Sequence, residues 1–294
     1  MMRRLSETRR QSPRQERLKG AKEVQIERRW RDALLQGGSS ADFRQAYDEL
    51  HREFLRQQGQ GAEPGEADIY GQVNPRAGAE DRVRAVLLRA AGSGKRILEV
   101  GTGDGLTSYL LAQQGNEVIT IDVSEVALQH ARVRWGKDTG LALTHALGDA
   151  RELSWADASF DLVISENLVE HISPADMRRH LAEVRRVLIS GGHYVLYTPS
   201  RLWSGRVSAG FHLHVYTLRE LCAMLREHGF VPTWIEPRLL HRTGRLISVG
   251  GLGLRFVMAY EALLGAWRVH RWPYALKARV IPSVMVSAQR EEGA

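Results

Sequence analysis

The sequence predicts an α/β protein built on a mostly parallel, doubly wound sheet. Three observations lead there. From about residue 79 onward, short β-type runs alternate with helical patterns, the order that βαβ units produce. A glycine-rich loop, Gly101, Gly103 and Gly105, stands directly between the first of those runs and the helical pattern after it. The composition, 43% hydrophobic and 26% charged over 294 residues, is that of an ordinary globular chain, long enough for one large domain or two small ones.

Taken in order, residues 1–14 read as a polar tail. "AKEVQIERRWRDALLQ" and "DFRQAYDELHREFLRQ" space their apolar residues three and four apart, so both predict helices, with Ser40 or Asp42 as the cap of the second. A Gly- and acid-rich linker follows, and the alternation then begins with a helix over 79–91. Strands are expected at "RILEV" (96–100), "EVITID" (117–122), "LTHALGD" (143–149) and "FDLVISE" (160–166). Three more follow: "GGHYVLYTP" (191–199) after a glycine turn, "FVPTWIE" (230–236) and "SVMVSAQ" (283–289). Helices are expected at 105–115, 124–134, 174–188 and 218–229. A basic tail and helical extension therefore covers 1–75, and the α/β domain 76–294, with 237–280 as an insertion.

The net charge of +7 is concentrated. Residues 1–31 hold eleven Lys/Arg against four Glu, and the rest of the chain balances. A basic excess confined to an arm argues for a solvated segment more than for a phosphate-tracking surface, so no nucleic-acid partner is expected. One cysteine, Cys222, excludes an internal disulfide and suggests a reducing compartment. The first fifteen residues lack an apolar signal core, and Arg255 and Glu261 interrupt the longest apolar stretch, so a cytoplasmic setting is expected.

The glycine loop carries the chemistry. Its glycines let backbone approach a ligand closely. The third position of a dinucleotide fingerprint, G-x-G-x-x-G, is here Leu106, and Glu99 before the loop would repel a pyrophosphate. A carboxylate there suits a cationic amine. Asp122 closes the second strand where an acid accepts hydrogen bonds from ribose hydroxyls, and Asp149 closes the third where it could meet an adenine amine. The ligand so described has adenosine and an ammonium group without phosphates, as S-adenosylmethionine does. Asp104 reads better as a turn or cap residue.

"LEVGTGDG", Asp122, "LGDARELSWADASFDLVISENLVEHI" and "GGHYVLYTPSR" together resemble the class I S-adenosylmethionine-dependent methyltransferases, nearest the branch that includes ubiquinone and menaquinone biosynthesis enzymes. The resemblance covers about residues 80–236 and the last strand. It implies a Rossmann-like, seven-stranded sheet whose last strand is antiparallel. It also implies that Glu99 and the loop Gly101, Thr102, Gly103 and Gly105 hold the methionine end. By the same resemblance Asp122 and Val123 hold ribose and adenine, Asp149 and Ala150 face the adenine edge, and Ser165 lies beside the methionine carboxylate and sulfonium.

Methyl transfer is an in-line displacement, so alignment matters most, with a base helping where the acceptor is a hydroxyl. His171 follows the fourth strand and is the first candidate base. His214 matches a family histidine bordering the acceptor pocket, with Tyr216 beside it; His212 has no such match and is left between pocket and surface. Glu166, Asn167 and Glu170 are expected to face the acceptor. Some quinone-pathway relatives bind a divalent cation at an E-x-x-E-H segment, but Asn167 stands where its earlier acid belongs, so no metal is expected. The apolar segment 242–281, with Phe256 and Tyr260, is expected to cover a partly apolar small-molecule acceptor. It could equally be a dimer interface, a core helix or, less favoured, a membrane-surface face. O-methylation leads over N- or C-methylation; a nucleic-acid methyltransferase and a non-catalytic cofactor binder remain as alternatives.

Overall fold

A computed structural model describes residues 25–26, 29–31, 34–35, 37–57, 77–136, 140–199, 201, 212–235, 259–260, 262–267 and 284–291. The tail, the 58–76 linker, most of the first helical pattern and nearly all of the insertion, Phe256 included, lie outside the described residues.

Seven strands form one sheet in the order β3-β2-β1-β4-β5-β7-β6. They are β1 (Arg96–Val100), β2 (Glu117–Asp122), β3 (Leu143–Leu147), β4 (Phe160–Glu166), β5 (Leu188–Thr198), β6 (Phe230–Ile235) and β7 (Val284–Arg290). The pairs among β1 to β5 are parallel, and β7 runs antiparallel to both β5 and β6. Three expected strands, 96–100, 117–122 and 160–166, have the expected bounds. β5 differs: it begins at Leu188, so Gly191 and Gly192 lie inside it, beside a register shift against β4 between Phe160 and Leu162. The glycines there accommodate an irregularity within a strand, not a turn before one.

Helices α1 (Ser40–Gln57), α2 (Ala77–Ala91), α3 (Leu106–Gln113), α4 (Glu125–Trp135), α5 (Pro174–Val187) and α6 (Leu218–Glu227) cover the sheet. Side chains from alternate positions along a strand point to opposite faces. Accordingly Leu98, Val100, Val163 and Leu196 enter one apolar cluster, and Ile97, Leu162, Ile164 and Val195 the other.

Local signals set the helix starts. Ser124, Ser173 and Thr217 cap α4, α5 and α6, and Thr217 closes a reciprocal capping box with Glu220. For α1 the cap is neither Ser40 nor Asp42 but Ser39. Its hydroxyl accepts from the Asp42 amide, and the Asp42 carboxylate accepts from the Ser39 amide at 2.8 Å. Asp42 is thus the third helical residue of the box, which frees Ser40 for another contact. Phe43 and Ala46 of α1 belong to the main core cluster, so this helix packs as part of the same body.

Candidate cofactor and acceptor site

A cavity of about 390 Å³ opens over the carboxyl ends of β1, β2 and β4. The chain passes from β1 out to β2 and β3, then returns to β4 on the other side of β1. Loops splay apart at such a reversal and leave room for a ligand.

The glycine loop forms one wall. The amides of Gly101 and Thr102 both donate to the Ile121 carbonyl, at 2.8 and 3.0 Å, fixing the loop to the end of β2. Gly103 has φ +54°, and a Cβ there would meet nothing within 4 Å, so bare backbone faces the cavity. Gly105 does a different job from the one expected of it. It does not line the cavity; a Cβ on it would lie 2.7 Å from the Ala131 Cβ and 2.9 Å from Trp135 Cδ1. It is glycine so that α3 and α4 can pack. The Thr102 side chain also turns inward, its hydroxyl 2.5 Å from that of Thr120, so only its backbone can serve a ligand.

Glu99 lines the cavity yet is 2% exposed, and burial pushes its carboxyl up to about 8. Thr120 donates to it at 3.0 Å. Asp104 acts as the turn residue expected, Oδ1 accepting from the Leu106 amide at 3.1 Å. Asp122 is buried at the end of β2, where Oδ1 accepts from the Ser124 amide at 2.8 Å. Burial raises its carboxyl, and His51 on α1 opposes that shift. Val123 and Ala150 line the same wall.

Asp149 lines the cavity too, but both its oxygens already have partners. Arg151 donates to it at 2.8 Å, and Ser40 donates to Oδ2 at 2.6 Å. Burial works to raise this carboxyl, and the hydrogen bonds from Arg151 and Ser40 outweigh it and hold it low. Arg151 also donates to the Gly38 carbonyl at 2.9 Å and lies 4.1 Å from the Phe43 ring centroid. The third-strand acid is therefore as much the anchor of the N-terminal helix as a wall of the pocket.

At the other end, β4 delivers Glu166 to the cavity, where Thr107 donates to it at 3.1 Å. Asn167 has φ +53°, a left-handed conformation that asparagine tolerates better than most residues. That bend starts the 3₁₀ turn Val169–His171, which puts His171 on the cavity wall.

Five other expectations are corrected. Ser165 does not line the cavity: as its neighbour Glu166 points in, Ser165 points into the core, 2.7 Å from the Tyr194 hydroxyl. Tyr194 reaches His180 at 2.9 Å, and His180 reaches the Ala150 carbonyl at 2.8 Å; burial pushes His180 down to about 4, so it is neutral. Glu170 is fully buried behind the wall, accepting from Thr198 at 2.9 Å. His214 and Tyr216 lie outside the cavity. The amides of Leu213 and His214 both converge on the Glu170 carbonyl, and the resulting bend separates His212 from His214. His214 packs at 4.5 Å from the Tyr216 ring beside Arg201, whereas His212 stands edge-on to His171 with centroids 4.9 Å apart. Tyr260 is described and does not line the cavity.

Residues that the sequence reading missed complete the enclosure. Phe43, Tyr47 and His51 recur every four positions and face the cavity from α1. Arg84 enters from α2, donating to Thr107 at 3.1 Å. The α1 spacing was visible in the sequence; which partner that stripe would meet was not.

Comparison with known proteins identifies a methyltransferase domain within the chain. Residues 97–192 match a family model described as a methyltransferase domain. Around that segment the chain is similar to S-adenosylmethionine-dependent methyltransferases. A probable S-adenosylmethionine-dependent methyltransferase of Mycolicibacterium smegmatis is 32% identical over 47% of this chain and 52% of its own. A ubiquinone biosynthesis O-methyltransferase of Ruegeria is 34% identical over 37% of this chain and 43% of its own. The chain spans about half the length of the curated relatives it matches. Among solved structures, the [4+2]-cyclase SpnF has the same fold, with TM-score 0.60 and 19% identity over 87% of this chain and 97% of that one.

The donor set of this methyltransferase domain fits the family cofactor. Glu99 is a buried acid whose charged form an ammonium would restore; Gly103 offers bare backbone, and Asp122 keeps an oxygen toward the loop, 3.4 Å from the Gly103 amide. A pyrophosphate would meet three acidic side chains there, those of Glu99, Asp104 and Asp122.

Proposed function

We propose that the protein transfers a methyl group from S-adenosylmethionine to a hydroxyl of a small, partly apolar acceptor, of the quinone-like, polyketide or lipid-linked kind. The observation that carries the reading is one continuous cavity, with Glu99, Gly103 and Asp122 on one wall and His171 on another. When bound, the cofactor supplies a methyl carbon activated by its sulfonium.

The chain's own residues do the rest. Glu99 and the loop backbone hold the amino-acid end of the donor, and Asp122 holds the ribose. Asp149, locked by Arg151, shapes the adenine edge. His171 accepts the hydroxyl proton as the new bond forms. Phe43, Tyr47 and Leu50 exclude water and give the acceptor apolar contact. The name of the Ruegeria relative supports an oxygen acceptor. The reading is metal-free, because Asn167 stands where the earlier acid of the cation-binding segment belongs. Among the described residues no helix is long and apolar enough to cross a membrane.

Two assays test the reading. Calorimetric titration with S-adenosylmethionine and S-adenosylhomocysteine should show one site; binding of neither would defeat it. Tritium from labelled donor should enter a metabolite extract, and His171→Ala should cut that transfer by about 10²–10⁴-fold, the usual worth of a general base. Undiminished transfer in that variant would remove His171 from its role.

A further inference from the structure

We infer that His212 and Glu170 are positioning residues for His171, holding its ring and stabilising the imidazolium it becomes. The inference rests on the methyl-transfer reading above. In that step the acceptor O–H bond breaks and its proton goes to a ring nitrogen of His171. The oxygen electron pair forms the new O–C bond, and sulfur keeps the electrons of the broken S–C bond. Positive charge therefore leaves sulfur and appears on His171, where the protein must compensate it.

The geometry supplies the compensation. His212 packs edge-on against His171, at 4.9 Å between centroids and 78° between planes. One nitrogen or oxygen atom each of Glu170, His171 and His212 lies within 4.8 Å of the others. Glu170 is fully buried, and although Thr198 donates to Oε2, its Oε1 has no hydrogen-bond partner among the described residues. A buried acid oxygen left idle costs stability, so its place beside two imidazoles needs a reason. Sharing a proton with a transient imidazolium is such a reason.

The surroundings agree. Tyr47 on α1 meets His171 edge-on at 6.0 Å, Glu166 on β4 acts on Glu170 through its charge, Glu170 in turn holds the Tyr216 phenol protonated, and Arg31 acts on His212. Burial, aided by Arg31, keeps His212 below the usual histidine range, so it is neutral and can accept an N–H from His171. Glu170 near 8 can lose its proton when a cation forms beside it.

The test needs no acceptor. Histidine Cε1 resonances of the full chain are titrated by NMR in the wild type, His212→Phe, His212→Gln and Glu170→Gln, with S-adenosylhomocysteine binding measured on each. His212→Phe and Glu170→Gln should each lower the His171 midpoint by about one pH unit, a tenfold loss of proton affinity. His212→Gln, which keeps an acceptor, should restore most of it. An unmoved His171 titration in both variants would overturn the inference. So would a midpoint that shifts when the wild type is treated with EDTA, since a cation would then occupy the group. Absence of S-adenosylhomocysteine binding by the wild type would strike the methyl-transfer reading instead, leaving the histidine titration to be judged separately.

Discussion

The two ends of the cavity were built under different rules, and they were unequally legible. The proposed cofactor end comes chiefly from the ends of β1 and β2 and the loop between β1 and α3, within residues 99–123, with Asp149 and Ala150 added from beyond β3. Its residues are close in sequence and tied by backbone geometry, so spacing reveals them. The proposed acceptor end is assembled from α1 and the turn after β4, which are brought together only by packing. There the sequence supplied residue types but not the directions in which they point.

The contrast can be tested first where the cofactor end leans on long-range contacts. Arg151, 6% exposed, holds Asp149 and lies 3.5 Å from Asp176 while donating to the Gly38 carbonyl. Arg151→Ala leaves buried carboxylates uncompensated and should cost about 3–5 kcal/mol in chemical denaturation. A loss below about 1 kcal/mol would mean that α1 is held by its apolar face alone.

Gly105→Ala comes next. Its φ of +77° and the 2.7 Å approach to Ala131 add strain to overpacking, for about 2–4 kcal/mol. Affinity for S-adenosylhomocysteine in the folded fraction should change little, because Gly105 packs helices and does not touch the cavity. A selective loss of affinity without loss of stability would return it to the cofactor wall.

Glu99→Gln should weaken S-adenosylhomocysteine binding by about 10- to 100-fold, the worth of a charge-assisted hydrogen bond. Its pH signature is more telling. In the free protein Glu99 sits near 8 against an ordinary 4.5, so the folded state holds a proton that the unfolded state has lost. That stabilisation is complete below about pH 4.5 and is lost as pH rises toward 8. Glu170 contributes with the same sign. Thermal melts of the free protein from pH 5 to 8 should therefore slope downward, less so in Glu99→Gln. Affinity for the cationic ligand should rise over the same range, since it needs the ionised acid. Parallel slopes for stability and affinity would contradict this.

Ser165→Ala is the smallest expected effect: about 1 kcal/mol of stability from the hydrogen bond to Tyr194, with cofactor affinity unchanged. It separates what the family resemblance implied from what the fold does with the residue.

These cases explain where sequence reading stopped. Strand bounds at 96–100, 117–122 and 160–166 followed from alternation and spacing, because both are local. Asp122 at a strand end and Gly103 in a tight loop were equally readable. Ser165 failed because a side chain's face depends on which neighbour points inward, and Glu166 took the cavity side. His214 turns away from the cavity and His212 packs against His171 because two amides converge on one carbonyl of Glu170, a bend no periodicity announces. The cap moved to Ser39 because Ser40 answers to Asp149, which lies 109 residues away.

The central claim is that one cavity receives a sulfonium nucleoside at its loop end and an acceptor at His171. A crystal structure with S-adenosylhomocysteine tests it most directly. The account predicts the ligand's amino group against Glu99 and the Gly103 backbone, its ribose on Asp122, and its sulfur turned toward His171. A ligand lodged elsewhere, or one that leaves Glu99 and Asp122 untouched, would contradict it.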